Sequence, residues 1–296
     1  MRRMERAMRC IALRGPGIAM AVLLLARAHP AAAQPYVYVA NLGSHDVSVL
    51  DAATNALAAT LPAGEDPNGV AVAPDGTRVY VTNFISGTLT IIDAAANRVV
   101  GTLPVGDGPV GAAVSTDGAT VYIANRGGNE VAVVNPAVPS VSARIPVGAG
   151  PNAVAVTPDG RSAYVTNSFT GFPGEVSVLD LATNAVRDTV AVQRAPNRVA
   201  VSPDGTRVYV TNFRSWNLSI IDTATDAVAE TLRVGDKPTS VAVNPNGAYA
   251  YVTLQYSQPG NLQIVETATN RVTDSLARSE ERRVGKECRS RWSPYH

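Results

Sequence analysis

A tetrapeptide, Tyr-Val-Thr-Asn or a near copy, recurs six times along the chain. The copies begin at Tyr38, Tyr80, Tyr122, Tyr164, Tyr209 and Tyr251, with steps of 42, 42, 42, 45 and 42 residues. A fixed period in this range marks a solenoid, a propeller or an array. One structural unit is therefore copied, and function must lie where the copies differ.

Each period holds four short apolar runs, here called A to D. In the second copy they are Gly69-Val70-Ala71-Val72, Arg78-Val79-Tyr80-Val81-Thr82, Leu89-Thr90-Ile91-Ile92 and Arg98-Val99-Val100-Gly101-Thr102-Leu103. Their Val, Ile, Tyr and Thr suit a pleated surface, and all are far shorter than a typical helix. Pro74-Asp75-Gly76 joins A to B, echoed by Asp159-Gly160, Asp204-Gly205 and Asn246-Gly247. Such pairs supply the positive φ of a tight hairpin. Four antiparallel strands per repeat predict the blade of an all-β propeller. Small residues alternating in the A runs, as in Val154-Ala155-Val156, predict that these strands line the crowded central channel.

From Tyr36 to about Leu276 the chain resembles the YVTN-repeat β-propeller family, on its repeated PxxVAVxPDGxxxYVTN and VSVID-like segments. The resemblance implies a secreted, periplasmic or cell-surface protein, often seven-bladed. It implies no particular chemistry, because one fold hosts many functions. The first copy starts at strand B. In propellers of this kind a C-terminal segment returns to supply the missing A strand, and here it does not arrive. The expectation is a truncated ring, about six blades of seven, with a sheet edge open at each end.

Both termini are expected to lie outside the propeller. Arg2, Arg3, Arg6, Arg9 and Arg14 precede an apolar stretch from Ile18 to Ala26, and Ala31-Ala32-Ala33 precedes Gln34. This is the pattern of a secretory signal peptide over 1–33, too short to span a bilayer. The alternative is an uncleaved anchor. At the other end, residues 278–296 resemble translated sequencing-adapter DNA, and the repeat breaks off where they begin. The propeller is therefore placed at 34–277, without a membrane span after signal cleavage.

Within 34–277 there are 13 Lys/Arg and 20 Asp/Glu, a net charge of about −7, which disfavours a nucleic-acid partner. Cys10 and Cys288 fall in the two termini, as do His29 and His296, leaving His45 alone. That inventory offers no thiolate chemistry and no pair of histidines for a metal or haem. Ser44, His45 and Asp46 are adjacent on one loop and cannot adopt the serial geometry of a catalytic triad. No GxSxG, Walker or dinucleotide fingerprint occurs. Aspartates recur at the A–B turns (Asp75, Asp117, Asp159, Asp204) and at the ends of the C strands (Asp51, Asp93, Asp180, Asp222). Their presence in every blade points to turn-making rather than to calcium. No catalytic residue, metal ligand or cofactor is assigned.

The variable loops are more informative. All four phenylalanines, Phe84, Phe169, Phe172 and Phe213, lie in B–C loops, together with Trp216, Arg126 and Arg214. The D–A connections add Asn68, Asn152, Asn197, Arg198 and Lys237. In a propeller both loop sets open on one face. Phe84, Arg126, Asn152, Phe169, Asn197, Arg198, Phe213, Arg214, Trp216 and Lys237 are the candidate binding residues, since aromatics and Arg concentrate at binding hot spots. The competing expectation is that Phe84 and Phe213 tuck between blades. The function that fits is an exported binding or scaffold module for a protein, peptide or small ligand. The family resemblance leaves two alternatives, a lactonase-like hydrolase and an accessory propeller of a periplasmic redox system.

Overall fold

A computed structural model describes residues 36–169, 173–255 and 262–276. The expected signal peptide, the 278–296 tail and Phe172 lie outside the described residues. The described chain is all strand and turn, in six antiparallel sheets.

Blade 1 has three strands: β1 (Tyr36–Asn41), β2 (Asp46–Asp51) and β3 (Leu57–Pro62). Blade 2 has β4 (Pro67–Val72), β5 (Arg78–Asn83), β6 (Thr88–Asp93) and β7 (Arg98–Pro104). Blade 3 has β8 (Pro109–Val114), β9 (Val121–Asn125), β10 (Glu130–Asn135) and β11 (Ser140–Pro146). Blade 4 has β12 (Pro151–Val156), β13 (Ser162–Asn167), β14 (Gly174–Asp180) and β15 (Ala185–Val192). Blade 5 has β16 (Pro196–Val201), β17 (Arg207–Asn212), β18 (Asn217–Asp222) and β19 (Ala227–Arg233). Blade 6 has β20 (Pro238–Val243), β21 (Tyr249–Leu254), β22 (Leu262–Glu266) and β23 (Arg271–Leu276). These are the expected A, B, C and D strands in order, with no A strand for blade 1 among the described residues. The A strands of successive blades pack side by side and the D strands barely touch, so the A strands face the axis. The small-residue pattern of those strands has this cause.

The cores lie between blades. Five apolar clusters each join one blade to the next. The repeated tetrapeptide builds those joints. Its tyrosine enters one cluster per interface: Tyr38, Tyr80, Tyr122, Tyr164 and Tyr209 are at most 5% exposed. Two of them also bond across the joint, Tyr38 Oη donating to Asn97 Oδ1 at 2.7 Å and Tyr164 Oη to Asp226 Oδ1 at 2.5 Å. The threonine works at the A strand, whose register shifts just after its proline because proline has no N–H for the ladder. Thr82 Oγ1 accepts from Gly69 N at 2.8 Å and donates to Val110 O of the next blade at 2.6 Å. Thr166 repeats this with Ala153 N and Asn197 O. The asparagine ties the B–C hairpin: Asn83 Nδ2 donates to Thr88 and Thr90, and Asn212 Nδ2 to Asn217 and Ser219.

Blade 6 shows what those contacts cover. Thr82, Thr166 and Thr211 are fully buried, yet Thr253 in the same position is exposed, as are Ser240, Ala242 and Tyr249 on blade 6.

The recurring aspartates serve the turns. Asp51, Asp93 and Asp180 accept backbone N–H bonds two and three residues on, and Asp75, Asp117, Asp159 and Asp204 accept one from two residues on. The amides of Thr54, Ala96 and Thr183 hold Asp51, Asp93 and Asp180 below the usual carboxylate range. The hydroxyls of Ser115, Thr157 and Ser202 do so for Asp117, Asp159 and Asp204. A depressed folded pKa contributes stability above the unfolded value, near 3.9, and that contribution is lost as pH falls through the folded value. At the alkaline end burial pushes Tyr38 up to about 12 and raises Tyr164 as well. That contribution is full below the unfolded tyrosine pKa near 10 and is lost as pH rises towards the folded values. The expected melting-temperature profile is a plateau from about pH 5 to 9 that falls on both sides. A melting temperature still rising below pH 4 would contradict it.

Candidate functional site

The loop face is built by one repeated contact. The first residue after strand B donates its N–H to the last residue of the D–A loop: Phe84 to Asp66, Arg126 to Gly108, Ser168 to Gly150, Phe213 to Ala195 and Gln255 to Lys237, at 2.8–3.1 Å. The acceptors share a positive φ, from 49° to 66°. This pins the two loops of each blade together. The first loop residue then leans onto the next blade. The Phe84 ring lies over Gly108, Arg126 stacks on the Phe169 ring at 4.4 Å, Ser168 Oγ donates to Pro196 O at 2.6 Å, and Lys237 Nζ stands 5.7 Å from the Phe213 ring.

Between blades 3, 4 and 5 these loops enclose a cavity of about 420 Å³. It is lined by six of the expected residues, Arg126, Asn152, Phe169, Asn197, Phe213 and Arg214, and by Ser168, Arg194 and Ala195. Its floor is a hydrogen-bonded chain across three blades. Asn152 Nδ2 donates to Asn197 O at 2.8 Å and Asn197 Nδ2 to Thr239 O at 3.1 Å. Ser215 Oγ accepts from Arg194 N at 2.9 Å. Polar groups locked this way hold their positions without a ligand.

Four expected residues are not on the cavity wall. Arg198 lies behind it, donating to Asn152 O at 3.2 Å. Phe84 is half-buried over the neighbouring loop. Phe213 is half-buried, with Lys237 of the blade 6 loop near its ring, and it lines the cavity. Trp216 sits outboard, 41% exposed, with Arg233 of β19 at 5.7 Å from its ring. Its φ of 60° puts it where His45, Gly87 and Asn129 make the same turn in other blades. Lys237 serves the Phe213 ring. Arg194 was legible in a comparison of columns. Two residues before the A-strand proline stand Glu65, Asp107, Ala149, Arg194 and Asp236, so blade 5 reverses the usual sign.

The cavity is electropositive. Three arginines line it and no carboxylate does. Among the described residues, ion pairs join Arg78 to Asp93, Arg187 to Asp226 and Arg144 to Glu130, and none involves Arg126, Arg194 or Arg214. Burial lowers the pKa of Arg126. Burial, then the nearby Arg126 charge, lowers Arg198 to about 10. His45 Nδ1 accepts from Asp66 N at 3.1 Å, which ties it to the loop entering blade 2. No group of three or more His, Cys, Asp or Glu side chains is placed to hold a metal among the described residues. Among those residues, no helix is long and apolar enough to cross a membrane.

Residues 25–120 match the family described as YNCE-like β-propeller. The fold is similar to a solved structure titled Kuenenia stuttgartiensis hydrazine synthase, at 24% identity and a TM-score of 0.68, over 78% of this chain and 73% of that one. It is also similar to a functionally unknown protein from Desulfotomaculum acetoxidans, at 14% identity and a TM-score of 0.71, over 80% of this chain and 78% of that one. At these identities the two structures bear on the fold alone. No curated protein matches the sequence. With one tetrapeptide tyrosine seated in each of five inter-blade cores, and with a propeller family matched at its N-terminal end, the chain is a β-propeller of the YVTN-repeat type.

Proposed function

We propose that the protein is an exported binding module that holds its ligand on the loop face, at the cavity between blades 3, 4 and 5. The observation that carries this reading is where the repeats diverge. Strands and turns are copied from blade to blade, whereas the wall of this one cavity combines Arg126, Arg194 and Arg214 with Phe169 and Phe213. Its volume of about 420 Å³ falls in the usual range for small-molecule sites, about 300–1,000 Å³. A hydrolytic reading is less well supported. The wall offers no imidazole or carboxylate for general acid–base work, and the Ser168 hydroxyl is engaged with Pro196 O. Export rests on the basic and then apolar N-terminal segment.

A thermal-shift screen of a small-molecule library tests the reading, run in parallel on the wild type and on the Phe169→Ala, Arg214→Ala double variant. Both side chains are solvent-accessible, so the unliganded melting temperatures should agree closely. Compounds that stabilise the wild type should lose that effect on the variant. Hits that stabilise both proteins equally would place binding elsewhere and defeat the proposal.

A further inference from the structure

We infer that the cavity is selective for a small oxyanion, a carboxylate or phosphate, carried on a compact apolar body. This deepens the binding reading above and rests on it. The first ground is composition by position. The D–A loops of blades 2, 3 and 6 carry Glu65, Asp107 and Asp236 two residues before proline, while the loops entering blades 4 and 5, which flank the cavity, carry Ala149 and Arg194. In this column the acid is lost only in the two loops that enter blades 4 and 5, in a domain whose net charge is about −7.

The second ground is geometry. The Arg126 guanidinium lies on the Phe169 ring, which fixes its plane, and its Nε is buried with no hydrogen-bond partner. A buried donor left unsatisfied is costly, and this one belongs to a side chain of the cavity wall. Arg198 lies close enough behind the wall for the Arg126 charge to act on it. Arg194 and Arg214 approach from blade 5. Like charges converging on a partly desolvated space repel, and an anion between them reverses the sign of the interaction. Guanidinium forks match carboxylate and phosphate oxygens equally well. Phe169 and Phe213 supply the apolar part of the wall.

Isothermal titration with phenyl phosphate, benzoate, benzyl alcohol and inorganic phosphate separates the components. At least one of the two aromatic anions should bind at least about tenfold more tightly than benzyl alcohol, the loss expected when a charge-assisted bond is missing. The stronger of the two identifies the headgroup. It should also outbind inorganic phosphate, which lacks the apolar body. Arg126→Gln should weaken that anion by about tenfold or more. Arg194→Gln, at an exposed position, should weaken it too and guards against misfolding of the first variant. Arg161→Gln, an exposed change at an A–B turn on the opposite face, should leave it unchanged. Equal binding of benzyl alcohol would overturn anion selectivity while leaving a binding cavity in place. Anion binding insensitive to Arg126 and Arg194, or no anion binding at all, would overturn the inference outright.

Discussion

Replacing Tyr164 with alanine is expected to destabilise the protein by about 3–5 kcal/mol, the usual loss for a large buried ring. Tyr164 is completely buried among Val176, Val178, Val190, Val208, Val210 and Ile221, at the joint of blades 4 and 5. The stiff β-branched neighbours can close only partly over the space the ring would leave. Tyr164→Phe should cost only about 1 kcal/mol, since it removes just the bond to Asp226, which keeps Arg187 as a partner. Tyr251→Ala is the internal control. It occupies the same repeat position in blade 6 but is only half-buried, so its loss should be clearly the smaller. Chemical denaturation of the three variants checks the ranking. Equal losses at Tyr164 and Tyr251 would mean that the inter-blade cores do not carry the stability.

The second large effect is expected at Gly111. A Cβ there would stand 2.8 Å from Ala153 Cα and 2.8 Å from Asn152 O, both in the next blade's A strand. Those are backbone atoms and cannot swing aside. Gly111→Val should therefore cost about 1–3 kcal/mol, the range for overpacking, and should displace Asn152 from the cavity floor. Gly101 offers the contrast, because a Cβ there meets nothing within 4 Å. Gly101→Ala should be neutral or should stabilise β7 by up to about 1 kcal/mol. Denaturation midpoints of the two variants should move in opposite directions or differ by at least that margin.

Blades, strands and turns were legible in the sequence because their causes are local. Val-Ala-Val, Asp-Gly and Tyr-Val-Thr-Asn each specify geometry within a few residues, and the period of 42 repeats the statement. The aspartates were legible for the same reason, since each bonds an amide two or three residues away. The cavity was only half legible. Its loops could be named from their chain positions, but Arg126 meets Phe169 across a blade boundary, 43 residues away along the chain. No local rule gives that meeting. The general rule is that the first B–C loop residue leans onto the next blade, and it becomes visible only in three dimensions. It puts Phe84 over Gly108 and away from the cavity. Trp216, three residues later in its loop than Phe213, turns outward at a positive φ. Arg194 carries no aromatic or motif signal, and its one mark in the sequence is the reversal of an acidic column of the repeats.

On the binding proposal, ligand should contact the divergent loops of blades 3 to 5 and not the copied turns opposite. Hydrogen–deuterium exchange measures that directly, with the protein free and saturated with phenyl phosphate or the most stabilising compound of the screen. New protection is expected in segments 126–129, 168–169, 193–195 and 213–216, with no change at the A–B turns around Asp75, Asp159 and Asp204. Protection confined to those turns, or spread evenly over all six blades, would contradict it.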